Sequence, residues 1–277
     1  MTDQAEDRND YPHTVAHTEW KVAMEQFAKH VSGVFREAAE AINGMRPQFE
    51  AALRAAASFQ ASFAPALARM ADSLKNLPDH IRAHLATLAT HGWYLDLDMD
   101  LHQVADFATQ LNAGDVHGVD DAFNKYFSRR AEGLEVELCE KFPHRALIIR
   151  AAFLAHKNGQ YELSVPVFLA QADGICAEIA GVQLYGRSND TTRLAEVLRM
   201  KNLDVFTAAL LTPLMGVYPI IFGEDERRGR DEILNRHAIL HGESVTYGTL
   251  TNSSKGMSLL SFTAWGLDDI ASRKSKK

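Results

Sequence analysis

The stretch NRHAILHG, Asn235 to Gly242, sets one arginine and two histidines among Leu234, Ala238, Ile239 and Leu240. Imidazole titrates near neutral pH and moves protons, whereas a guanidinium stays charged and grips phosphate or carboxylate through its planar fork. Arg236, His237 and His241 are therefore residue types for acid–base chemistry on a bound anion. A helix from Asp231 to His241, with Gly242 as its terminating glycine, puts His237 and His241 on one face. Arg236 then stands about 140° from His241, at about 100° per residue. Ile233, Leu234, Ala238, Ile239 and Leu240 surround that helix, so it reads as buried or interfacial nearly all round. An uncompensated guanidinium there costs on the order of several kcal/mol. Arg236 must meet either a structural carboxylate, with Asp173 and Glu178 as candidates, or an anionic ligand. The residues alone leave these two readings even.

Other chemistries find less in the chain. His237 and His241 have the i, i+4 spacing of zinc ligands, but no glutamate stands in the HExxH place and no third ligand is evident, so no metal site is expected. The run DLDMD, Asp96 to Asp100, lacks the sixth-position glycine and twelfth-position glutamate of a calcium loop; it reads as the acidic start of a helix. Cys139 and Cys176 form no CxxC or Cys/His cluster and read as buried thiols in a reducing compartment. Arg227, Arg228 and Arg230 precede the motif, yet Glu224, Asp225, Glu226, Asp231 and Glu232 surround them, which reads as a solvated charged face. No cofactor motif is present.

The elements that must position the motif are helical. The chain has 277 residues, 46% of them hydrophobic, enough to bury a real core; its net charge of -7 supplies no global field for a polyanion, so any nucleic-acid site must be local. Residues 1–17 have the composition of a disordered tail, without the apolar core of a secretory signal, which points to the cytoplasm. From Thr18, Trp20, Met24, Phe27, Val31, Val34 and Phe35 recur at helical spacing, and residues 18–142 read as an amino-terminal helical region. Ala146 to His156 and Tyr161 to Ala180, joined by the turn KNGQ, read as an antiparallel helical hairpin. The run from Phe206 to Phe222 is broken by Pro213 and Pro219 and is core, so no membrane span is expected. A last helix is expected from Asn252 or Ser253, and residues 271–277 form a basic tail. Nothing alternates like a strand, and the fold class is all-α.

Arg236-His237-Ala238-Ile239-Leu240-His241 resembles the R-x4-H signature of HEPN domains, in which a polar residue commonly follows the arginine. The words SVPVFLAQADGI at Ser164 to Ile175, NRHAILHG, YGT and NSSKGMSLL look like an uncharacterised bacterial branch of that family, over residues 143–270. The resemblance implies a helical bundle in the carboxyl-terminal half and metal-independent RNA cleavage by a homodimer, without DNA as a partner, in bacterial stress or antiphage defence. It implies that His241 acts as general base or acid, Arg236 holds the phosphate, and His237 orients or assists. Asp173 and Gln171, polar residues in an apolar stretch, are candidates for orienting the motif; a buried hydrogen-bond network that fixes helix register is their other reading. The rival to the whole reading is a non-catalytic helical interaction or scaffold protein that uses the same helix as a dimer interface. The absence of a basic stripe favours that rival.

Overall fold

A computed structural model describes residues 77–268, apart from 189–190, 202 and 231–232. The chain divides into two units, Met1–Leu74 and Lys75–Lys277. The expected tail 1–17, the helical periodicity from Trp20 to Phe35 and the basic tail 271–277 lie outside the described residues. The second unit spans the 142/143 point where the sequence suggested a boundary: helices on both sides of it share one core.

Alternating helices and short turns build that core. α1 (Leu77–Thr90), α2 (Leu101–Asn112) and α3 (Val116–Lys141) lead through a 3-10 turn at Pro143–Arg145 into α4 (Ala146–Lys157) and α5 (Tyr161–Ala180). A two-residue antiparallel ladder follows, β1 (Arg187–Ser188) with β2 (Thr191–Thr192). Short helices come next: α6 (Arg193–Arg199), α7 (Val205–Leu210), α8 (Thr212–Met215), a 3-10 turn at Pro219–Ile221, α9 (Glu224–Arg227) and α10 (Arg236–Leu240). The last described helix is α11 (Leu250–Gly266). The all-α class holds, since the strands are a turn-sized ladder. Asp100 caps α2 by accepting from the His102 amide at 2.8 Å, the acidic helix start expected of DLDMD.

α11 is the axis of the unit and packs on α5 and α3. Ser253, Ser254, Ser258, Ser261 and Thr263 are buried along it. Small side chains allow close approach: a Cβ on Gly256 would sit 3.3 Å from Phe168 Cβ. The buried hydroxyls need partners, and Ser253 Oγ meets His156 Nδ1 at 2.8 Å and Ser164 Oγ at 2.6 Å, which ties α4, α5 and α11 together. α11 starts earlier than expected, because the Thr249 hydroxyl caps it by accepting from the Asn252 amide, while Asn252 Nδ2 turns back to the Tyr247 carbonyl.

The hairpin α4–α5 forms where two helical segments joined by the turn KNGQ were expected. α5 is long and apolar enough to cross a membrane, but half of it is buried inside the protein, as expected of a core helix. Pro166 falls in its second turn and cannot donate to the Glu162 carbonyl. The Tyr247 hydroxyl donates to that carbonyl instead, at 3.0 Å. Gly248 lies so close to the Glu162 side chain that a Cβ would sit 2.4 Å from Oε1. The loop after the motif is thus tethered to α5.

Candidate functional site

The motif helix is shorter than its pattern suggests. α10 spans Arg236–Leu240 only, and Ile233 and Leu234 stand outside it. Asn235 is the reason. Its backbone is extended (φ -127, ψ 122), and its Oδ1 accepts from the Ala238 amide at 2.9 Å as a cap. Its Nδ2 donates to the carbonyls of Pro219 and Phe222 at 2.8 and 3.0 Å. These partners hold Asn235, which is 2% exposed, against the 3-10 turn and start the helix at Arg236. At the other end Gly242 adopts φ 74, the left-handed terminator expected of it, and the Glu243 and Ser244 amides both donate to the Ala238 carbonyl. The helix is also not buried all round: Ala238 and Ile239 are buried, Leu240 and His241 are exposed, and Arg236 and His237 are half-buried.

Within this short helix the three candidates converge. The rings of His237 and His241 lie nearly parallel, with centroids 5.7 Å apart. Arg236 Nη1 lies 3.3 Å from His237 Nδ1. A guanidinium can only donate, so Nδ1 accepts and the neutral ring carries its proton on Nε2. The Arg236 guanidinium rests on the Tyr185 ring, 5.3 Å from carbon to centroid, a cation–π contact. Among the described residues no carboxylate pairs with Arg236, and its Nε–H is buried without an acceptor. Burial foremost, then the charge of Arg236, holds His237 below the ordinary histidine range; His241 and Arg227 push the same way, and Glu243 opposes them. His237 is accordingly a neutral hydrogen-bond donor at pH 7.

The carboxylates considered for Arg236 are engaged elsewhere. Asp173 Oδ1 accepts from the Leu184 amide at 2.7 Å, and Glu178 is shared by Arg145 and His144. Asp173 nevertheless acts on the site indirectly: it fixes the residue before Tyr185, and the Tyr185 hydroxyl donates to the Leu169 carbonyl, so the platform under Arg236 is anchored to α5 twice. Gln171 is not brought to the motif. Its Oε1 accepts from Arg145 Nη1 at 3.1 Å, in the network around Glu178. Among the described residues, no group of three His, Cys, Asp or Glu side chains is poised to hold a metal ion. Asp96 and Asp98 of the DLDMD run pair with Arg130.

Sequence reasoning missed Arg227, read as part of a solvated loop. Its side chain is only 18% exposed, pairs with Glu243 and helps line an open cleft of about 340 Å³ beside α10. Nothing local signals this, because Glu243 lies beyond the motif in the chain. No protein-family model, no curated protein and no solved structure matches this chain.

Proposed function

We propose that the chain is a metal-independent endoribonuclease of HEPN type, acting on RNA in the cytoplasm as a homodimer. The observation that carries this reading is Arg236, a half-buried guanidinium without a carboxylate partner among the described residues, set against one of two stacked imidazoles. A structural arginine is expected to be paired; one poised beside proton-transfer groups is suited to a phosphate.

The chemistry follows from the placement. Arg236 holds the scissile phosphate and offsets charge that develops on it. His237, neutral with its proton on Nε2, donates to a phosphate oxygen. His241, exposed at the end of α10, removes the proton of the ribose 2′-hydroxyl, whose oxygen attacks the adjacent phosphorus. The 5′-oxygen leaves and takes up a proton, giving a 2′,3′-cyclic phosphate and a 5′-hydroxyl. The resemblance extends the reading to bacterial stress or antiphage defence.

The test is incubation of the purified protein with RNA in EDTA. Cyclic-phosphate ends are expected, with the rate reduced on the order of 10²- to 10⁴-fold in His241→Ala and on the order of 10²- to 10³-fold in Arg236→Ala. Cleavage that survives in the double variant rejects the site, and cleavage abolished by EDTA rejects the metal-free mechanism. The non-catalytic interaction protein is the second reading, favoured by Leu240 and Val245, which are exposed beside the motif at 41% and 83%. It predicts no cleavage and a dimer that Leu240→Glu dissociates.

A further inference from the structure

The cleft beside α10 is not used by the chemistry above. One wall comes from the α9 segment through Arg227 and Arg230, another from α10 through Asn235, Ala238 and Ile239, and a third from the loop Glu243 to Thr246. Its volume of about 340 Å³ is at the lower end for ligand pockets, the size of one small polar molecule or one nucleotide unit. The lining has two characters. Ile233, Ile239 and Val245 are apolar, whereas Arg227 and Arg230 are cations, and the hydroxyls of Ser244 and Thr246 make no hydrogen bond among the described residues. An apolar wall, cations and uncommitted hydroxyls match a base, a phosphate and polar edges.

Arg227 carries the argument furthest. Glu243 takes one arm of its guanidinium, while its Nε–H is buried and has no acceptor. Glu243 itself is 48% exposed, so water competes for it and the pair is easily exchanged. Arg230 is exposed, with its guanidinium 5.7 Å from the Phe222 ring centroid. Ala238 and Ile239, which follow His237 in α10, line the cleft, which places it beside the candidate catalytic residues. α9 is held in position from outside: Glu226 binds Arg187 of β1 and accepts from the Gly223 amide at 2.8 Å.

We propose that this cleft is a second RNA subsite, in which Arg227 and Arg230 bind the phosphate next to the scissile one and Glu243 holds Arg227 in its place until RNA enters. The proposal rests on the nuclease reading for the identity of its ligand. Ile239 and Val245 receive the face of a base, and Ser244 and Thr246 bond its edge. The entering phosphate displaces a carboxylate, so Glu243 opposes binding.

The experiment measures binding by fluorescence anisotropy in EDTA, using labelled 2′-O-methyl hexauridine, which lacks the nucleophile and cannot be cleaved. Arg230→Gln, an exposed change, and Arg227→Gln are each expected to weaken affinity about tenfold and to lower the slope of log K against log salt by about 1. Glu243→Gln is expected to tighten binding several-fold, a gain that misfolding cannot produce, and the gain should vanish when combined with Arg227→Gln. Wild-type affinity and salt slope in both arginine variants, or no binding by the wild type, overturns the subsite. Uridine RNA assayed in parallel separates the two readings. The binding pattern without cleavage keeps the subsite and removes the nuclease; Arg236-dependent cleavage without the pattern does the reverse.

Discussion

His237 is the residue on which the local electrostatics of the motif converge. Burial, Arg236, His241 and Arg227 all disfavour its protonation, and Glu243, among the described residues, favours it. Each charge can be removed singly, and the sign of the response is fixed. In an NMR titration of the His237 ring, the wild type should titrate below 6.5, Arg236→Gln should move it upward, and Glu243→Gln should move it further down. An unchanged midpoint in Arg236→Gln would show that the 3.3 Å contact between the two side chains does not persist in solution. The motif was legible in the sequence at this scale because His237 and His241 fall together at helical spacing and Arg236 is costly to bury. What holds the arginine was not legible. Tyr185 lies far from it in sequence, fixed by Asp173 through the neighbouring Leu184 amide, and no local pattern encodes such a platform.

At the scale of elements, the helical hairpin was readable and the bounds of the motif helix were not. α4 and α5 are apolar segments of helical length joined by the turn KNGQ, enough to suggest a hairpin without distant partners. The expected helix 231–241 fails because Asn235 finds better partners at Pro219 and Phe222 than a continuing helix could offer. Pro166 shows the same dependence on distant chain, since Tyr247 supplies the donor that the proline ring lacks. Tyr247→Phe should therefore destabilise the protein by about 1 kcal/mol, the usual net worth of a hydrogen bond. Pro166→Ala provides an amide that can bond Glu162 within the helix. In that background the cost of Tyr247→Phe should fall toward zero, a non-additivity measurable by denaturant unfolding. Strict additivity would mean that the hydroxyl stabilises something other than the α5 backbone.

For the whole molecule, the buried histidine at the junction of α4, α5 and α11 links folding to acidity. Burial foremost, and then the neighbouring charge of Lys157, holds His156 below its ordinary value of 6.5. As pH falls, the unfolded chain binds the proton first, so this contribution to stability is complete above about 6.5 and is lost as pH drops through that value toward the folded pKa. The thermal midpoint should fall between pH 7.5 and 5.5, and His156→Gln should reduce the slope. A slope that His156→Gln leaves unchanged would assign the acid sensitivity to His84, His91 or His237, which are displaced in the same direction.

Asn235 spends every hydrogen bond of its amide on backbone: one on the first turn of α10 and two on the Pro219 and Phe222 carbonyls, which flank the 3-10 turn upstream. The motif and the 219–222 segment therefore cannot open separately, because release of either strands buried polar groups in the other. A ligand bound at Arg236 should also slow the local unfolding of the 219–222 segment. Occupancy of the site will be written into the amide-exchange rates of Ile221 and Phe222, whose N–H groups bond the Tyr218 and Pro219 carbonyls of that same turn.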